Sequence, residues 1–392
     1  MQIKRLIDQY AAEAVEWRRE IHRNPELSME ETATTAFIRD KLQKWGISIR
    51  DSGIETGIIA EIDGSKSGKN RVAAVRADID ALPVQERGSA SFASVKEGVC
   101  HACGHDLHTA SLLLTARVLS ENRNLFSGKV RLLFQPAEES GAGARIMIEH
   151  GALEAPKPDV ILGIHTWPDT PAGMIGTKSG PSHASSDTVK IVVRGRGGHG
   201  AHPYRCVDPV VAASYLITEM QTILSREVPM NEGVVLTFGS IHGGTASNVI
   251  PDQVVIEGTL RTLSETWRKN TLESIRRIAR GCCEAMKAEA EVIITEGMPP
   301  LINVPEVIAL VEKAADQALG EGHVMHLPSA SPGSDDFARY LEFVPGALYR
   351  MGTGNDDPDS HIGLHNGKNV FDERGIATAA AVTAQFLIDY LQ

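Results

Sequence analysis

Nine consecutive residues, Cys100-His101-Ala102-Cys103-Gly104-His105-Asp106-Leu107-His108, hold two thiols, three imidazoles and a carboxylate. Such a cluster suits three chemistries: a structural zinc site, a thiol nucleophile with an imidazole base, or one side of a catalytic metal centre. A closed zinc site needs a second ligand pair at a spacing like that of Cys100 and Cys103. The sequence offers none, because Cys206 stands alone and Cys282 and Cys283 are adjacent inside a helical pattern. A reactive thiolate needs positive neighbours, and the other candidate segments bring carboxylates instead. In Cys103-Gly104-His105 the glycine permits a tight backbone, so a thiolate and an imidazole can face one centre or two adjacent ones.

The partners would come from far along the chain. Pro136-Ala137-Glu138-Glu139 follows a short apolar run, and adjacent residues in a turn point to different sides. One glutamate can therefore ligate a metal while its neighbour stays free to carry a proton. His165 ends the apolar run Val160 to Ile164, and His365 lies in the loop His361-Ile362-Gly363-Leu364-His365-Asn366. Each has an ordinary reading, a solvated glutamate pair, a core histidine or an incidental loop histidine. Together, Cys103, His105, Glu139, His165 and His365 form a mixed sulfur, nitrogen and oxygen set suited to one or two borderline divalent ions such as Mn2+, Zn2+, Co2+ or Ni2+. Cys100, His101 and His108 receive no role, and Asp106 is either a supporting partner or a helix cap.

The surrounding elements explain how such residues could converge. Ile3 to Ile21 is expected to form one helix and Thr32 to Trp45 another, by the spacing of their apolar residues. Arg71 to Arg76, Val130 to Phe134 and Val160 to Ile164 read as buried strands, separated by helices over His108 to Leu119 and Gly143 to His150. This alternation predicts a three-layer α/β/α domain with a mostly parallel sheet. Ligands bind beyond the carboxyl ends of such strands, where Asp78 and Asp80, Glu138 and Glu139, and His165 fall. From Ser186 the order becomes strand (Thr188 to Val193), helix (Pro209 to Glu227), strand (Val234 to Ser240), strand (Val254 to Thr262), helix (Thr266 to Ala288), strand (Glu291 to Thr295). That is an α+β module of the ferredoxin-like, split βαβ type. The first sheet resumes at Gly346 to Gly352, between helices over Val304 to Leu319 and Gly375 to Leu391. The expected domains are 1–184 with 297–392, and an inserted 185–296.

The chain has 392 residues, 42% hydrophobic and 23% charged, with a formal net charge of -11. This is globular composition, and the acidic balance argues against nucleic acid or anionic lipid as a partner. No apolar run approaches the roughly 20 residues of a membrane helix, and the first residues do not read as a signal peptide. Five cysteines, two of them adjacent, argue against a disulfide framework. A cytoplasmic protein acting on a small molecule is expected. Gly195-Arg196-Gly197-Gly198-His199-Gly200 matches the dinucleotide pattern G-x-G-x-x-G, but that site needs a helix opening at the loop. Here the helix is expected to open only at Asp208-Pro209.

The segments RADIDALP (76–83), HACGHDLHTA (101–110), FQPAEES (134–140), GIHTWP (163–168), GRGGHGAHP (195–203), TASNVIPD (245–252), GTLRT (258–262), GSDDFARY (333–340) and LHN (364–366) occur in order over nearly the whole chain. Together they resemble the M20 metallopeptidases, in the branch of aminoacylases, hippurate hydrolases and auxin-conjugate amidohydrolases. The resemblance implies a catalytic domain with a dinuclear metal site and an inserted lid that also serves dimerisation, giving a homodimer or larger homo-oligomer. It implies Cys103, His105, Glu139, His165 and His365 as metal ligands and Glu138 as general base. Asp78 and Asp80 correspond to the acidic pair that supports the site. His199 would polarise the scissile carbonyl, and Asn248 and Arg261 would hold the substrate carboxylate. The implied activity is cleavage of the amide bond of N-acyl amino acids, with carboxypeptidase or dipeptidase action as the alternative within the family. A cysteine-nucleophile hydrolase and a non-enzymatic metal-binding protein are the alternatives outside it. Two positions depart from the family pattern: Asp335 stands where glutamate is more frequent, and no proline follows His365 in Gly367 to Asp372.

Overall fold

The computed structural model describes residues 2–88 and 90–392, which form two compact units. The first comprises residues up to Gly180 together with Ile302–Ser329 and Asp336–Gln392; the second comprises Pro181–Leu301 with Ala330–Asp335.

In chain order the first stretch contains α1 (Gln2–Asp8), α2 (Ala11–Arg23), α3 (Thr32–Lys44), β1 (Ser48–Ile49), β2 (Ile58–Asp63), β3 (Val72–Asp78), α4 (His105–Glu121), β4 (Lys129–Gln135), α5 (Gly143–Glu149), β5 (Val160–Pro171) and β6 (Ile175–Thr177). Then come β7 (Gly180–His183), β8 (Asp187–Arg194), β9 (Gly198–His199), α6 (Pro209–Thr222), β10 (Val234–His242), β11 (Val249–Ile250), β12 (Gln253–Thr262), α7 (Glu265–Ala285) and β13 (Glu289–Thr295). The chain ends with β14 (Leu301–Asn303), α8 (Pro305–Leu319), β15 (Val324–His326), α9 (Ala338–Leu341), β16 (Gly346–Gly354) and α10 (Arg374–Tyr390).

The large sheet runs β1-β2-β4-β3-β5-β16-β6-β15, with its four central strands parallel. The connection β3-α4-β4 steps one way across the sheet, and β4-α5-β5 steps back past β3. Right-handed crossovers therefore put α4 and α5 on opposite faces, which makes the three layers expected of the α/β reading. Register places the chemistry at one level. Asp78 pairs with Gln135 and Arg76 with Gly163, so the ends of β3 and β4 lie beside His165. Helix α4 is buried on nearly every side and packs among α2, α10 and β3, so its first turn is held by core burial rather than by intrinsic helix propensity.

In the first unit two boundaries differ most from expectation. The predicted single N-terminal helix is broken at Gln9-Tyr10, because the Tyr10 hydroxyl donates to Glu121 at 2.8 Å and its ring lies 4.6 Å from the Arg117 guanidinium. Strand β5 does not end near His165 but continues to Pro171, because β16 goes on pairing beside it. His165 is thus a mid-strand residue whose geometry the sheet fixes.

The second unit contains a four-stranded sheet, β10-β12-β8-β13, antiparallel throughout. With α6 and α7 this is the ferredoxin-like order read from the sequence. Asp208 caps α6 by accepting from the amides of Val210 and Val211, and Pro209 is its first residue. The glycine-rich loop at 195–200 itself contains β9, and α6 opens only at Pro209, so the dinucleotide reading ends there. Helix α7 stops three residues short of its predicted end, with Lys287 in the left-handed region at φ 62°. Among the described residues no helix is long and apolar enough to cross a membrane.

One buried ion network ties α2 to the start of α4. Arg18 Nε donates to Asp106 Oδ2 at 2.6 Å, and His22 Nδ1 donates to the same oxygen at 2.8 Å. Asp106 is therefore not a helix cap, and its carboxylate bonds α2 rather than the metal-type donors. Burial pushes its carboxyl up, but Arg18 and His22 outweigh that and hold it well below the usual carboxylate range. A depressed native pKa contributes stability above the ordinary carboxylate range, lost as pH falls through the native value. Arg18→Met, which leaves Asp106 buried and short of a cation, should cost about 3–5 kcal/mol in urea unfolding at pH 7. The deficit should shrink below about pH 4, where Asp106 can take a proton. A loss under about 1 kcal/mol at pH 7 would contradict this reading.

Candidate metal centre

The site is assembled at the carboxyl edge of β3, β4 and β5 within the first unit. Gly104 sits in the left-handed region at φ 83° as the residue before α4, and a Cβ there would lie 2.6 Å from Thr166 Cγ2. Only glycine allows this approach, which lets Thr166 Oγ1 donate to the Cys103 carbonyl at 2.7 Å. Cys103 and His105 are thereby presented on either side of one tight turn. The second turn, after β4, places Ala137 at φ 54°, with its carbonyl accepting from the amides of Ala142 and Gly143. Gly143 has no room for a side chain, since a Cβ would meet the Pro136 carbonyl oxygen at 1.7 Å. Buried Glu31 accepts the Ala137 amide at 2.8 Å and fixes the turn that separates Glu138 from Glu139.

Donor atoms gather in overlapping groups. Cys103, His105 and His165 can bring one donor each within 4.8 Å of one another, as can Cys103, Glu139 and His365, and also His105, Glu138 and Glu139. Cys103 Sγ lies 3.5 Å from His165 Nε2, and Glu139 Oε1 lies 3.4 Å from His365 Nε2 and 3.8 Å from His105 Nε2. His365, itself at φ 64°, is brought from the far end of the chain by its amide, which donates to the Ala102 carbonyl at 2.9 Å.

Hydrogen bonds decide which imidazole nitrogen faces the centre. His105 Nδ1 faces the Asp80 carbonyl at 3.0 Å and Asp80 Oδ1 at 3.2 Å, so Nδ1 carries a proton and Nε2 is the nitrogen turned toward the centre. His165 Nδ1 donates to the Thr166 carbonyl at 2.9 Å, which likewise turns Nε2 toward Cys103. Asp80 also accepts the Glu139 amide at 3.0 Å and the Ser28 hydroxyl at 2.7 Å. Of the two aspartates, Asp80 is the one that touches both His105 and the Glu139 backbone. Asp78 instead bonds His108 Nδ1 and Arg76 Nη1, and approaches His105 Nε2 only at 3.6 Å. Although Asp78, His105 and His108 also cluster, His108 is committed on both sides. Its Nδ1 donates to Asp78 at 2.5 Å and its Nε2 accepts the Thr166 amide at 2.7 Å.

A divalent ion fits what the described residues leave unsatisfied. Buried His105 Nε2 and Glu139 Oε1 have no hydrogen-bond partner there, which is costly for polar atoms away from water. Burial pushes the Cys103 thiol well up, which removes the case for a ready thiolate nucleophile. Burial, with His108 and Arg350 adding to it, holds His165 well down and therefore neutral, the form that ligates metal. His105 is pushed up in spite of burial, by the carboxylate of Asp78 and the hydrogen bond to Asp80. Without a cation the thiol and His105 keep their protons, and a bound ion would displace them.

The remaining sequence-predicted residues lie in the second unit. His199 on β9 pairs with Val249 on β11, and the Gly200 amide donates to the Asn248 carbonyl at 2.8 Å, so His199 and Asn248 lie at one short two-stranded sheet. Arg261 is on β12, opposite Val235 of β10, with Nη1 donating to the Leu260 carbonyl. Among the described residues no hydrogen bond or ion pair joins Arg261 to His199 or Asn248. Sequence reasoning missed Ser28, Arg76, His108 and Asp336. Arg76 alone had a local signal, a charge inside a wholly buried strand.

A model of Peptidase family M20/M25/M40 matches residues 74–389. The chain belongs to this family. Among its M20 relatives, an N-acetyl-L-cysteine deacetylase of Bacillus subtilis (strain 168) is 44% identical over 344 residues, 88% of this chain and 81% of that one. An N-acyl-L-amino acid amidohydrolase of Geobacillus stearothermophilus is 40% identical over 306 residues, 78% and 82% of the two chains. A solved M20 structure from Bacillus subtilis, described as a dinuclear metal binding peptidase, superimposes with a TM-score of 0.84 at 36% identity, over 98% of this chain and 99% of that one.

Gly104→Ala forces a left-handed alanine, at about 1–2 kcal/mol, against Thr166. The variant should unfold at least about 2 kcal/mol more easily and bind divalent metal about 10–100-fold more weakly, by calorimetric titration of metal-stripped protein. Unchanged stability and affinity would show that the turn does not set the donors.

Proposed function

We propose that the protein is a metal-dependent amidohydrolase that cleaves the amide bond of N-acyl amino acids. One observation carries the reading. Five donors of metal type meet at one sheet edge, and a sixth group, Glu138, stands beside them as an additional carboxylate held apart by the Ala137 turn. The relatives that cleave N-acyl amino acids, as their names state, support the substrate class.

Cys103, His105, Glu139, His165 and His365 would hold two divalent ions, and the thiolate with three imidazoles suits Mn2+, Zn2+, Co2+ or Ni2+. Such ions supply Lewis acidity to an amide carbonyl and make water acidic enough to lose a proton near neutral pH. Glu138 then acts as the base: its carboxylate takes a proton from the attacking water and delivers it to the amide nitrogen as the C–N bond breaks. The products are a carboxylic acid and a free amino acid, so one water is consumed per bond. Burial of Glu138, which is 9% exposed, keeps bulk water from competing for that proton.

From the inserted segment 185–296, His199 is assigned to polarise the scissile carbonyl, and Asn248 and Arg261 to bind the substrate carboxylate, a role for which a planar guanidinium is apt. The segment would also serve as lid and dimer contact, in a homodimer or larger assembly. Five cysteines without a disulfide suit the cytoplasm.

Purified protein should hydrolyse at least one of acetyl, benzoyl, aminobenzoyl or indoleacetyl amino acids, lose that activity on exhaustive chelation, and regain it with one of the four metals. Glu138→Gln should lower kcat by at least about 100-fold while metal content stays at the wild-type level. Full activity in Glu138→Gln, or hydrolysis that survives chelation, would overturn the reading. Dipeptide turnover exceeding all N-acyl turnover would move the substrate class to peptides.

A further inference from the structure

Below the donors lies a second layer of charge that none of the proposed chemistry uses. Arg76, Asp78, Gln135 and Asp336 are all completely buried. The Arg76 guanidinium donates in three directions: Nη1 to Asp78 Oδ2 at 2.6 Å, Nη2 to Asp336 Oδ1 at 2.7 Å, and Nε to Gln135 Oε1 at 2.9 Å. Each carboxylate it holds leads to a different part of the site.

Along the first path, Asp78 accepts from His108 Nδ1, His108 Nε2 accepts the Thr166 amide, and Thr166 in turn holds the Cys103 carbonyl and the Nδ1 proton of His165. Along the second, the Asp336 side chain accepts from Gln135 Nε2 and the Ala144 amide, both at 2.8 Å, while its own backbone amide faces Glu138 Oε1 at 3.4 Å. One path ends on two of the proposed metal donors, and the other ends on the proposed base.

We propose that Arg76 is a positioning residue that fixes the Cys103 and His165 donors and the Glu138 carboxylate in one shared geometry, through Asp78 and through Asp336. Its hydrogen bonds to Asp78, Asp336 and Gln135 act on the site through those residues, so its role is positioning rather than catalysis itself. A planar fork with three separated donor directions is required, which the single ammonium of lysine does not offer. The proposal rests on the metal-centre reading for its consequences, and on the buried contacts alone for its geometry.

Removal of the charge strands two buried carboxylates, so the test uses Arg76→Lys and Asp336→Asn, each first checked for wild-type circular dichroism and cooperative melting. Metal-stripped protein is then titrated with Co2+, whose ligand-field and thiolate charge-transfer bands report the Cys103 and His165 geometry without substrate. Arg76→Lys should bind Co2+ about tenfold or more weakly, with a shifted or weakened thiolate band. Its kcat should fall at least about tenfold with KM within about twofold, as expected when transition-state positioning rather than binding is lost. Asp336→Asn, which keeps the Arg76–Asp78 pair, should keep the wild-type cobalt spectrum and lose kcat alone. A folded Arg76→Lys with wild-type cobalt spectrum, affinity and kcat overturns the proposal. If Arg76→Lys does not fold, Asp336→Asn decides, and a wild-type kcat there overturns it. Absence of any N-acyl amino acid turnover by the wild-type protein would defeat the functional reading, while the cobalt spectra would still decide the role of Arg76.

Discussion

The carboxylate of Asp80 is the contact on which the centre depends. It sits just past the end of β3 and reaches three elements at once: the first residue of α4 through His105 Nδ1, the turn after β4 through the Glu139 amide, and the segment before α3 through Ser28. Because these bonds occupy Nδ1 of His105, the ring turns Nε2 toward the centre, where a cation would displace its proton. A buried aspartate would ordinarily resist ionisation. Burial does push Asp80 up, but the bonds from His105 and Ser28 more than offset it and hold the carboxyl below its usual range. The same charge that orients His105 is thus stabilised by the imidazole it orients.

Around this contact the fold supplies placement and the turns supply spacing. Parallel register sets the end of β3, the end of β4 and His165 on β5 at one level, and the glycine at 104 brings α4 to that level against Thr166. His365 arrives through a single backbone bond to Ala102. The donors lie on a buried core, with Glu139 and the more exposed His365 at the open side. That asymmetry suits a centre whose protein side is rigid and whose substrate side admits a small molecule.

Much of this was legible in the sequence, because it is written in local patterns. Apolar runs ending in Asp78, Glu138 and His165 marked the strands and the edge to which they deliver, and Asp208-Pro209 marked the helix start that rules out a dinucleotide loop. The extent of β5 was not legible, since its continuation past His165 depends on pairing with β16, nearly two hundred residues later. The break at Tyr10 was hidden for the same reason, as it follows from contacts with α4. His108 illustrates the limit within one motif. Its spacing from His105 suggested nothing, yet both its nitrogens are engaged with Asp78 and Thr166. Partners such as Arg18 with Asp106, or Arg76 with Asp336, meet only in the folded core, which no spacing rule reveals.

The central claim is that Cys103 and the histidines bind metal together at this edge. It is tested most directly by X-ray absorption at the metal edge of protein loaded with two equivalents of Zn2+ or Co2+. The account predicts a sulfur scatterer at about 2.3 Å together with nitrogen and oxygen neighbours at about 2.0–2.2 Å, and loss of the sulfur shell in Cys103→Ser. A wild-type spectrum without sulfur, or a sulfur shell that persists in Cys103→Ser, would contradict it.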